Sequence, residues 1–162
     1  NYSYAHELET CMYAGGDKQA DGSVKGWSEY SVSEWQTESV FSLKQDVKIL
    51  DEFILKKGVE SMGDAMKKHQ LHPEDVTYFL PHISSVFFKD KLYQEFKNAG
   101  LEIAKDKWFI NLPKVGNVGA ASIYLMLEEL YHSNNLKSGD TIMLSVPESG
   151  RFSYAYAFLK VV

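Results

Sequence analysis

The stretches Pro81-His82-Ile83-Ser84-Ser85 and Val115-Gly116-Asn117-Val118-Gly119-Ala120-Ala121-Ser122 decide the fold of this chain of 162 residues. In each stretch one polar side chain, that of His82 or of Asn117, stands where a strand or loop gives way to a helix. In open α/β sheets, ligands bind in the crevice beyond the carboxyl ends of the strands. The two stretches therefore predict an α/β domain with a ligand site along one edge of its sheet.

A third stretch, Pro147-Glu148-Ser149-Gly150-Arg151, is a predicted turn between the last two strands. The side chains of a His and an Asn, together with the backbone N–H of Gly150, can stabilise an oxygen atom that gains negative charge during a reaction. No nucleophilic side chain stands in a comparable position. The three stretches therefore have the features of half an active site, without the group that attacks.

Each of these residues also has a purely structural interpretation. His82 can cap the following helix or bond to a carbonyl group of the core, and Asn117 can be an ordinary helix N-cap. Gly150 can be the glycine of a plain hairpin turn. The combination favours a site, because Pro81 restricts the backbone that aims His82, and the glycines beside Asn117 let the backbone approach a ligand closely.

The hydrophobic periodicity predicts the element order β-α-β-α-β-α-β-β, which is typical of a layered α/β domain with a mixed sheet. The predicted strands are residues 4–12, 76–80, 108–112, 141–146 and 152–161. The predicted helices are residues 39–69, as one kinked helix or two, then 84–98 and 118–133. Residues 27–38 are predicted to form a surface excursion with room for a short hairpin.

The composition limits the class of protein. Apolar residues make up 44% of the chain, which suits one domain with a sizeable core. The net charge is −5 and Arg151 is the single arginine, so the clustered basic face of nucleic-acid-binding proteins is missing. No apolar run is long enough to cross a bilayer. We therefore expect neither a nucleic-acid partner nor a membrane partner.

The remaining candidates for chemistry are discounted. Cys11 is the only cysteine, which excludes an internal disulfide and indicates a reducing, cytoplasmic location. Its position inside a predicted strand favours a small buried side chain over a nucleophile. His69 and His72 lie close in sequence to Glu74 and Asp75, but the histidines straddle a helix end and no further Cys or His completes a set. We therefore predict no metal site.

Several motifs together resemble a known family. Leu80-Pro81-His82, Gly116-Asn117-Val118-Gly119-Ala120-Ala121-Ser122-Ile123, Leu136-Lys137-Ser138-Gly139-Asp140 and the last pair of strands follow one another at familiar spacing. They resemble the C-terminal half of a β-ketoacyl-acyl carrier protein synthase III, a condensing enzyme of the thiolase fold. The likeness runs from about Tyr4 to Val161, and the His and the Gly-Asn-x-x-Ala-Ala-Ser motif are its specific parts.

The resemblance implies that residues 1–162 are one C-terminal domain of a larger enzyme. Two similar halves of a thiolase fold pair into a five-layer αβαβα sandwich, and the N-terminal half brings a Cys nucleophile on a buried helix. That half would precede Asn1, where the chain starts without a Met. The family's substrates are thioesters of CoA or acyl carrier protein, the full-length enzyme is a homodimer, and no cofactor is implied. We therefore expect the isolated chain to be inactive.

The resemblance also assigns roles to individual residues. His82 and Asn117 would be the two members of the Cys-His-Asn set that this half supplies, and Gly150 would lend its backbone N–H to an oxyanion hole. The implied reaction is the decarboxylative Claisen condensation of an acyl thioester with a malonyl-type thioester. The residues implied to contact the substrate are Ser84, Phe87, Gly116 and Gly119.

The chain departs from the family pattern in two places. After the His, the family continues Gln-Ala-Asn and then a basic residue that is important for carrier-protein docking, whereas here Phe87 stands at the basic position. The glycine-rich turn of the family is here charged, with Glu148 and Arg151. These departures indicate a divergent branch, and two alternatives stay open: an acyltransferase that forms an ester or amide bond, and a non-catalytic subunit or interaction domain.

Overall fold

A four-stranded sheet lies at the centre of the computed structural model, which describes residues 1–162. In chain order, the strands are β1 (Tyr2–Tyr4), β2 (Met12–Tyr13), β3 (Gly16–Lys18), β4 (Val24–Gly26), β5 (Lys44–Gln45), β6 (Tyr78–Pro81), β7 (Thr141–Glu148) and β8 (Ser153–Lys160). The α-helices are α1 (Val32–Thr37), α2 (Val47–Lys68), α3 (Phe87–Asn98), α4 (Leu112–Val115) and α5 (Ser122–His132). Short 3-10 turns join several of these elements.

The central sheet is mixed and has the strand order β1-β8-β7-β6. Strands β6 and β7 are parallel, whereas β7 with β8 and β8 with β1 are antiparallel. Beyond β6, Trp108 forms a single parallel bridge with Phe79, and the N–H of Phe109 donates to the carbonyl of Phe79 at 2.8 Å. The predicted layered α/β architecture with a mixed sheet is confirmed.

The two faces of the sheet are covered by different helices, as the alternation of side chains along a strand requires. Phe79 of β6 and Met143 of β7 point into the larger core, where α2 and α3 pack. Leu80 of β6 and Ile142 of β7 point into a smaller core beneath α5. The chain thus forms three layers, with α2 and α3 on one side of the sheet and α5 on the other.

The long helix α2 begins later than the periodicity predicts. Asp46 is its N-cap, and its Oδ1 accepts hydrogen bonds from the N–H groups of Lys48 and Ile49 at 3.1 and 3.2 Å. Val40 and Leu43 therefore precede the helix, and the predicted start at residue 39 is wrong. The helix then runs without a break to Lys68. Gly58 packs so closely on Tyr154 that an added Cβ would lie 3.1 Å from the ring.

Three other predicted elements differ from the structure. The strand predicted at 4–12 is replaced by β1 and a 3-10 turn over His6–Cys11, because β8 begins at Ser153, opposite Tyr4, and offers β1 no partner beyond that point. The strand predicted at 108–112 is a single bridge, since α4 starts at Leu112. Residues 27–38 form a 3-10 turn and α1, and the hairpin of this excursion, β3–β4, lies earlier in the chain.

The turn between β7 and β8 holds two residues in the left-handed region. Arg151 has φ = +57° and Phe152 has φ = +47°. For residues with a Cβ this conformation costs about 1–2 kcal/mol each. The side chain of Phe152 is fully buried, so its packing against the core offsets part of that cost. The turn at the edge of the candidate site is therefore held by tertiary packing and not by local preference.

Candidate functional site

His82 follows directly after β6, at the carboxyl end of the two parallel strands. Its backbone N–H donates to the carbonyl of Ser145 on β7 at 2.8 Å, which continues the β6–β7 ladder by one residue. The side chain is only 5% exposed, and its Nδ1 atom is buried without a hydrogen-bond partner. A buried polar atom without a partner is costly in a folded protein. The imidazole is therefore held in place by the fold, with Nδ1 enclosed and unpaired.

Burial lowers the pKa of His82 below its ordinary value, since the protonated ring is poorly solvated there. The negative charge of Glu148 opposes this shift. The other titratable groups around the same space are the phenols of Tyr154 and Tyr156, whose pKa values burial raises. At neutral pH the ring of His82 is therefore neutral, with one nitrogen that donates a proton and one that accepts one.

The lowered pKa of His82 predicts a pH-dependent stability. The unfolded chain binds more protons than the folded one below the ordinary His value of 6.5, down to the pKa of the folded state. The free energy of unfolding should thus be independent of His82 well above pH 6.5 and should decrease as the pH drops below that value. Urea unfolding measures the decrease in the free energy of unfolding between about pH 7.5 and about pH 5. This decrease should be smaller for His82→Gln than for the native protein. An equal fall in both proteins would contradict the shift.

Asn117 lies on the loop that leads into α5. Gly116 and Gly119 on either side of it have φ of +76° and +63°, a region that residues with a Cβ rarely adopt. The Oδ1 atom of Asn117 accepts a hydrogen bond from the N–H of Gly119 at 2.9 Å, which fixes the side chain on its own loop. The Asn117 amide nitrogen makes no hydrogen bond within the chain and lies in an exposed position. It is therefore available as a donor.

His82 and Asn117 line the same cavity, which has a volume of about 330 Å³. Helices α2 and α3 supply its apolar wall, with Leu50, Ile54, Leu55, Phe88, Leu92 and Phe96. The back wall is made by Tyr154 and Tyr156, whose hydroxyl groups donate to carbonyl oxygens of α2 at 2.8 and 2.7 Å. A space of this size, apolar and with few polar groups, is typical of a small-molecule site.

The structure places the other predicted site residues unevenly. Ser84 and Gly119 line the cavity, and Gly116 borders a small recess on another side of His82. Gly150 does not line the cavity, although the preceding Ser149 does. Phe87 is 63% exposed and lies outside the cavity, where its ring contacts the ammonium of Lys91, while its neighbour Phe88 takes a place in the wall.

Sequence reasoning missed part of the lining. Leu50, Ile54 and Gly58 recur at intervals of four along α2, which marks one buried face of a helix. That spacing does not distinguish a helix face that packs on the core from one that borders a cavity. Gln45 also lines the cavity, and its side-chain amide donates to the Ser149 hydroxyl at 3.0 Å, across a separation in sequence that no local pattern reveals.

Two other features bear on the kinds of site that the chain contains. No group of three or more His, Cys, Asp or Glu side chains is arranged to hold a metal ion. Cys11 is fully buried outside the cavity, where its Sγ contacts the Asp46 carbonyl at 3.6 Å and burial raises the pKa of the thiol. No helix in the structure has both the length and the apolar character that crossing a bilayer requires.

A mixed sheet covered by helices on both faces, with its His and Asn loops meeting at one edge, is one half of the thiolase fold. The chain belongs to the 3-oxoacyl-[acyl-carrier-protein] synthase III family, whose C-terminal part it matches over residues 66–160. Over 103 residues it is 33% identical to the beta-ketoacyl-[acyl-carrier-protein] synthase III of Clostridium beijerinckii, covering 62% of this chain and 29% of that protein.

Solved structures show the same fold over the whole length of the chain. The beta-ketoacyl-[acyl carrier protein] synthase III of Thermus thermophilus matches with a TM-score of 0.71 and 20% identity, covering 100% of this chain and 45% of that one. A single-residue variant of OleA from Xanthomonas campestris matches with a TM-score of 0.68 and 18% identity, covering 99% of this chain and 38% of that one. The chain thus spans less than half of each of these relatives.

Proposed function

We propose that this chain is the C-terminal half of a 3-oxoacyl-(acyl carrier protein) synthase III-like acyltransferase. The reaction is the decarboxylative Claisen condensation of an acyl thioester with a malonyl-type thioester, carried on CoA or on an acyl carrier protein. The observation that carries the proposal is the cavity shared by His82 and Asn117, in which the imidazole is 5% exposed and its Nδ1 has no partner. Membership in a family of condensing enzymes supports the choice of reaction.

In this proposal the acyl group first passes to a cysteine of the N-terminal half, and the carrier thiol leaves. The malonyl-type thioester then enters the cavity and loses CO₂, and its thioester oxygen gains negative charge as the enolate forms. His82 and Asn117 donate hydrogen bonds to that oxygen. The enolate carbon attacks the acyl carbonyl carbon, a carbon–carbon bond forms, and the cysteine thiolate leaves.

The proposed roles differ in how much support they have. His82 and Asn117 line the same cavity from separate loops, which supports their proposed action on one oxygen atom there. The backbone N–H of Gly150 is proposed for the oxyanion that forms over the acylated cysteine, a position beyond the edge of this chain. Each such donor is worth about 3 kcal/mol of barrier in comparable sites. Ser84 and Gly119 are proposed to contact the substrate from the cavity wall, and Gly116 and Phe87 from beside it.

The proposal requires an N-terminal half, and an exposed helix face supports a place for one. The outer side of α5 exposes Tyr124, Leu125 and Tyr131, the two tyrosines at 72% and 70%. An apolar helix face of this kind favours association with another protein surface. We propose that the N-terminal half covers α5 and brings the nucleophilic cysteine to the cavity, that two full-length chains form a homodimer, and that the isolated chain is inert.

The test is the intact mass of the full-length protein after exposure to a short acyl-CoA. We expect a gain of one acyl group, with the modified peptide mapping to a cysteine upstream of Asn1. Residues 1–162 alone, treated in the same way, serve as the control and should gain nothing. A full-length protein that takes up no acyl group would instead identify a non-catalytic subunit, the alternative that Phe87 at the family's basic docking position supports.

A further inference from the structure

The cavity extends from His82 and Asn117 into an apolar slot between α2 and α3. The residues that line this slot on the two helices are Leu50, Ile54 and Gly58 on α2, and Phe88, Leu92 and Phe96 on α3. On each helix the three residues recur at intervals of four, which places them in a stripe on one face. From the first to the last residue of a stripe the helix rises about 12 Å, so the slot follows both helices for about two turns.

Both helices begin at the polar end of the cavity. The side-chain amide of Gln45, two residues before α2, donates to the hydroxyl of Ser149 at 3.0 Å, just beyond the end of β7. Helix α3 begins five residues after His82. In each stripe the first residue is half-buried and the last is buried. The slot therefore runs from the polar groups of the site into the interior of the domain.

The inner end of the slot is closed by this chain itself. Tyr154 packs on Gly58, and the hydroxyl of Tyr156 donates to the Gly58 carbonyl at 2.7 Å. The ring of Phe96 packs against that of Phe79 on the sheet, with centroids 5.7 Å apart. This end lies on the α2 and α3 side of the sheet, opposite to α5, which the N-terminal half is proposed to cover. The depth of the slot therefore does not depend on that half.

The two stripes carry no charged or polar side chain. The hydroxyl groups of the two tyrosines at the inner end already donate to carbonyl oxygens of α2, at 2.8 and 2.7 Å. A polar ligand in this space would lose its hydrogen bonds to water, whereas an apolar one gains by leaving water. The slot thus fits a hydrocarbon chain whose polar end stays beside His82 and Asn117.

We propose that the slot binds the alkyl chain of a thioester substrate. The inference rests on the proposed function, which brings the thioester to His82 and Asn117. Two thioesters of that reaction can carry the chain: the acyl donor, or a malonyl-type thioester with an alkyl group on the carbon between its carbonyls. The chain is held without a covalent step in the slot.

The experiment measures the Kd of the full-length protein for S-ethyl-pantetheine and S-octyl-pantetheine by calorimetry. These thioethers carry the arm that CoA and acyl carrier protein share, and they cannot transfer an acyl group, so binding is measured whether or not the protein condenses thioesters. Each further CH₂ group that is buried should tighten binding about two- to fourfold. We therefore expect the octyl compound, with six more such groups, to bind about 50-fold more tightly or better.

Ile54→Phe places a larger ring halfway along the α2 stripe and should block the slot. It should reduce the ratio of the two Kd values to below about fivefold and leave the Kd of the ethyl compound unchanged. The matched control is Ile49→Phe, the same change at a half-buried residue of α2 outside the cavity, which should keep the preference for the octyl chain.

A second measurement needs no variant. An S-octyl-pantetheine with a photoreactive diazirine near the end of its chain should crosslink, in the native protein, to α2 or α3. Equal affinity for the two thioethers, an equal preference in native protein and Ile54→Phe, or crosslinks only outside these helices would overturn the inference.

Single turnovers of native protein and Ile54→Phe identify the thioester that carries the chain. Slower acyl loading from octanoyl-CoA, with loading from acetyl-CoA unchanged, identifies the acyl donor. Slower discharge of the acetyl-enzyme by hexylmalonyl-CoA, with discharge by malonyl-CoA unchanged, identifies the malonyl-type thioester. If the variant slows neither reaction, the inference fails and the proposed function stands. If no acyl group loads while the octyl preference and the crosslinks are found, the proposed function fails and the slot remains an alkyl-binding site.

Discussion

Replacing His82 by alanine in the full-length protein is expected to abolish condensation while acyl transfer to the N-terminal cysteine survives. The reason is the position of the imidazole, which lines the cavity and is proposed to donate to the enolate oxygen in the second half-reaction only. The loss of one such donor lowers kcat about 100- to 1000-fold. Single-turnover measurements of acyl loading and of discharge by malonyl-CoA separate the two half-reactions.

The control for this prediction is His72→Ala, which removes an exposed histidine outside the cavity and should leave both half-reactions unchanged. Condensation at the native rate in His82→Ala would overturn the proposed role. A parallel loss of acyl loading and condensation would mean that His82 maintains the fold of the site and does not act on the second substrate.

The second large effect is expected on stability. Phe79 lies in β6, three residues before His82, and its side chain is fully buried. Its ring packs edge-on against those of Phe96 and Trp108, with centroids 5.7 and 5.1 Å away. Removing a buried aromatic ring costs about 3–5 kcal/mol, since apolar contacts are lost and a cavity remains. We therefore expect Phe79→Ala to lower the free energy of unfolding of the purified protein by that amount, as measured by urea titration.

Phe87→Ala is the matched control for Phe79→Ala, because the same side chain is 63% exposed there. Phe87→Ala should change the free energy of unfolding by no more than about 0.5 kcal/mol. Similar costs at the two positions would show that the aromatic cluster around Trp108 does not carry the stability of the sheet.

The sequence alone predicts the layered α/β fold and brings two of the site residues together. His82 and Asn117 each stand at a change from loop or strand to helix, and such changes can be read from local periodicity. Because β6 and β7 are parallel, the loops beyond their carboxyl ends meet at one edge of the sheet, and the cavity lies there. The general position of the site therefore follows from the order of the elements.

The parts that could not be predicted depend on contacts between distant residues. The start of α2 is fixed by Asp46, whose second carboxylate oxygen pairs with Lys18 at 2.8 Å. The same helix continues through Gly58, on which Tyr154, almost a hundred residues later, packs closely. Glu148 can be read from the sequence as a charge in the last turn, but only the folded chain shows that it faces the cavity without a cationic partner.

The strand order has a consequence for synthesis. Apart from the single bridge between Phe79 and Trp108, β1 pairs with β8 and β6 pairs with β7. These partners are the last two strands of this stretch, so that Tyr2 meets Ala155 and Tyr78 meets Ile142. As translation proceeds from the N-terminus at about 5–20 residues per second, β1 and β6 leave the ribosome with no strand to pair with. Helices α2 and α3 then have no sheet to cover. The central layer closes only after residue 160 has emerged, so the nascent chain carries its apolar helix faces uncovered for most of its synthesis.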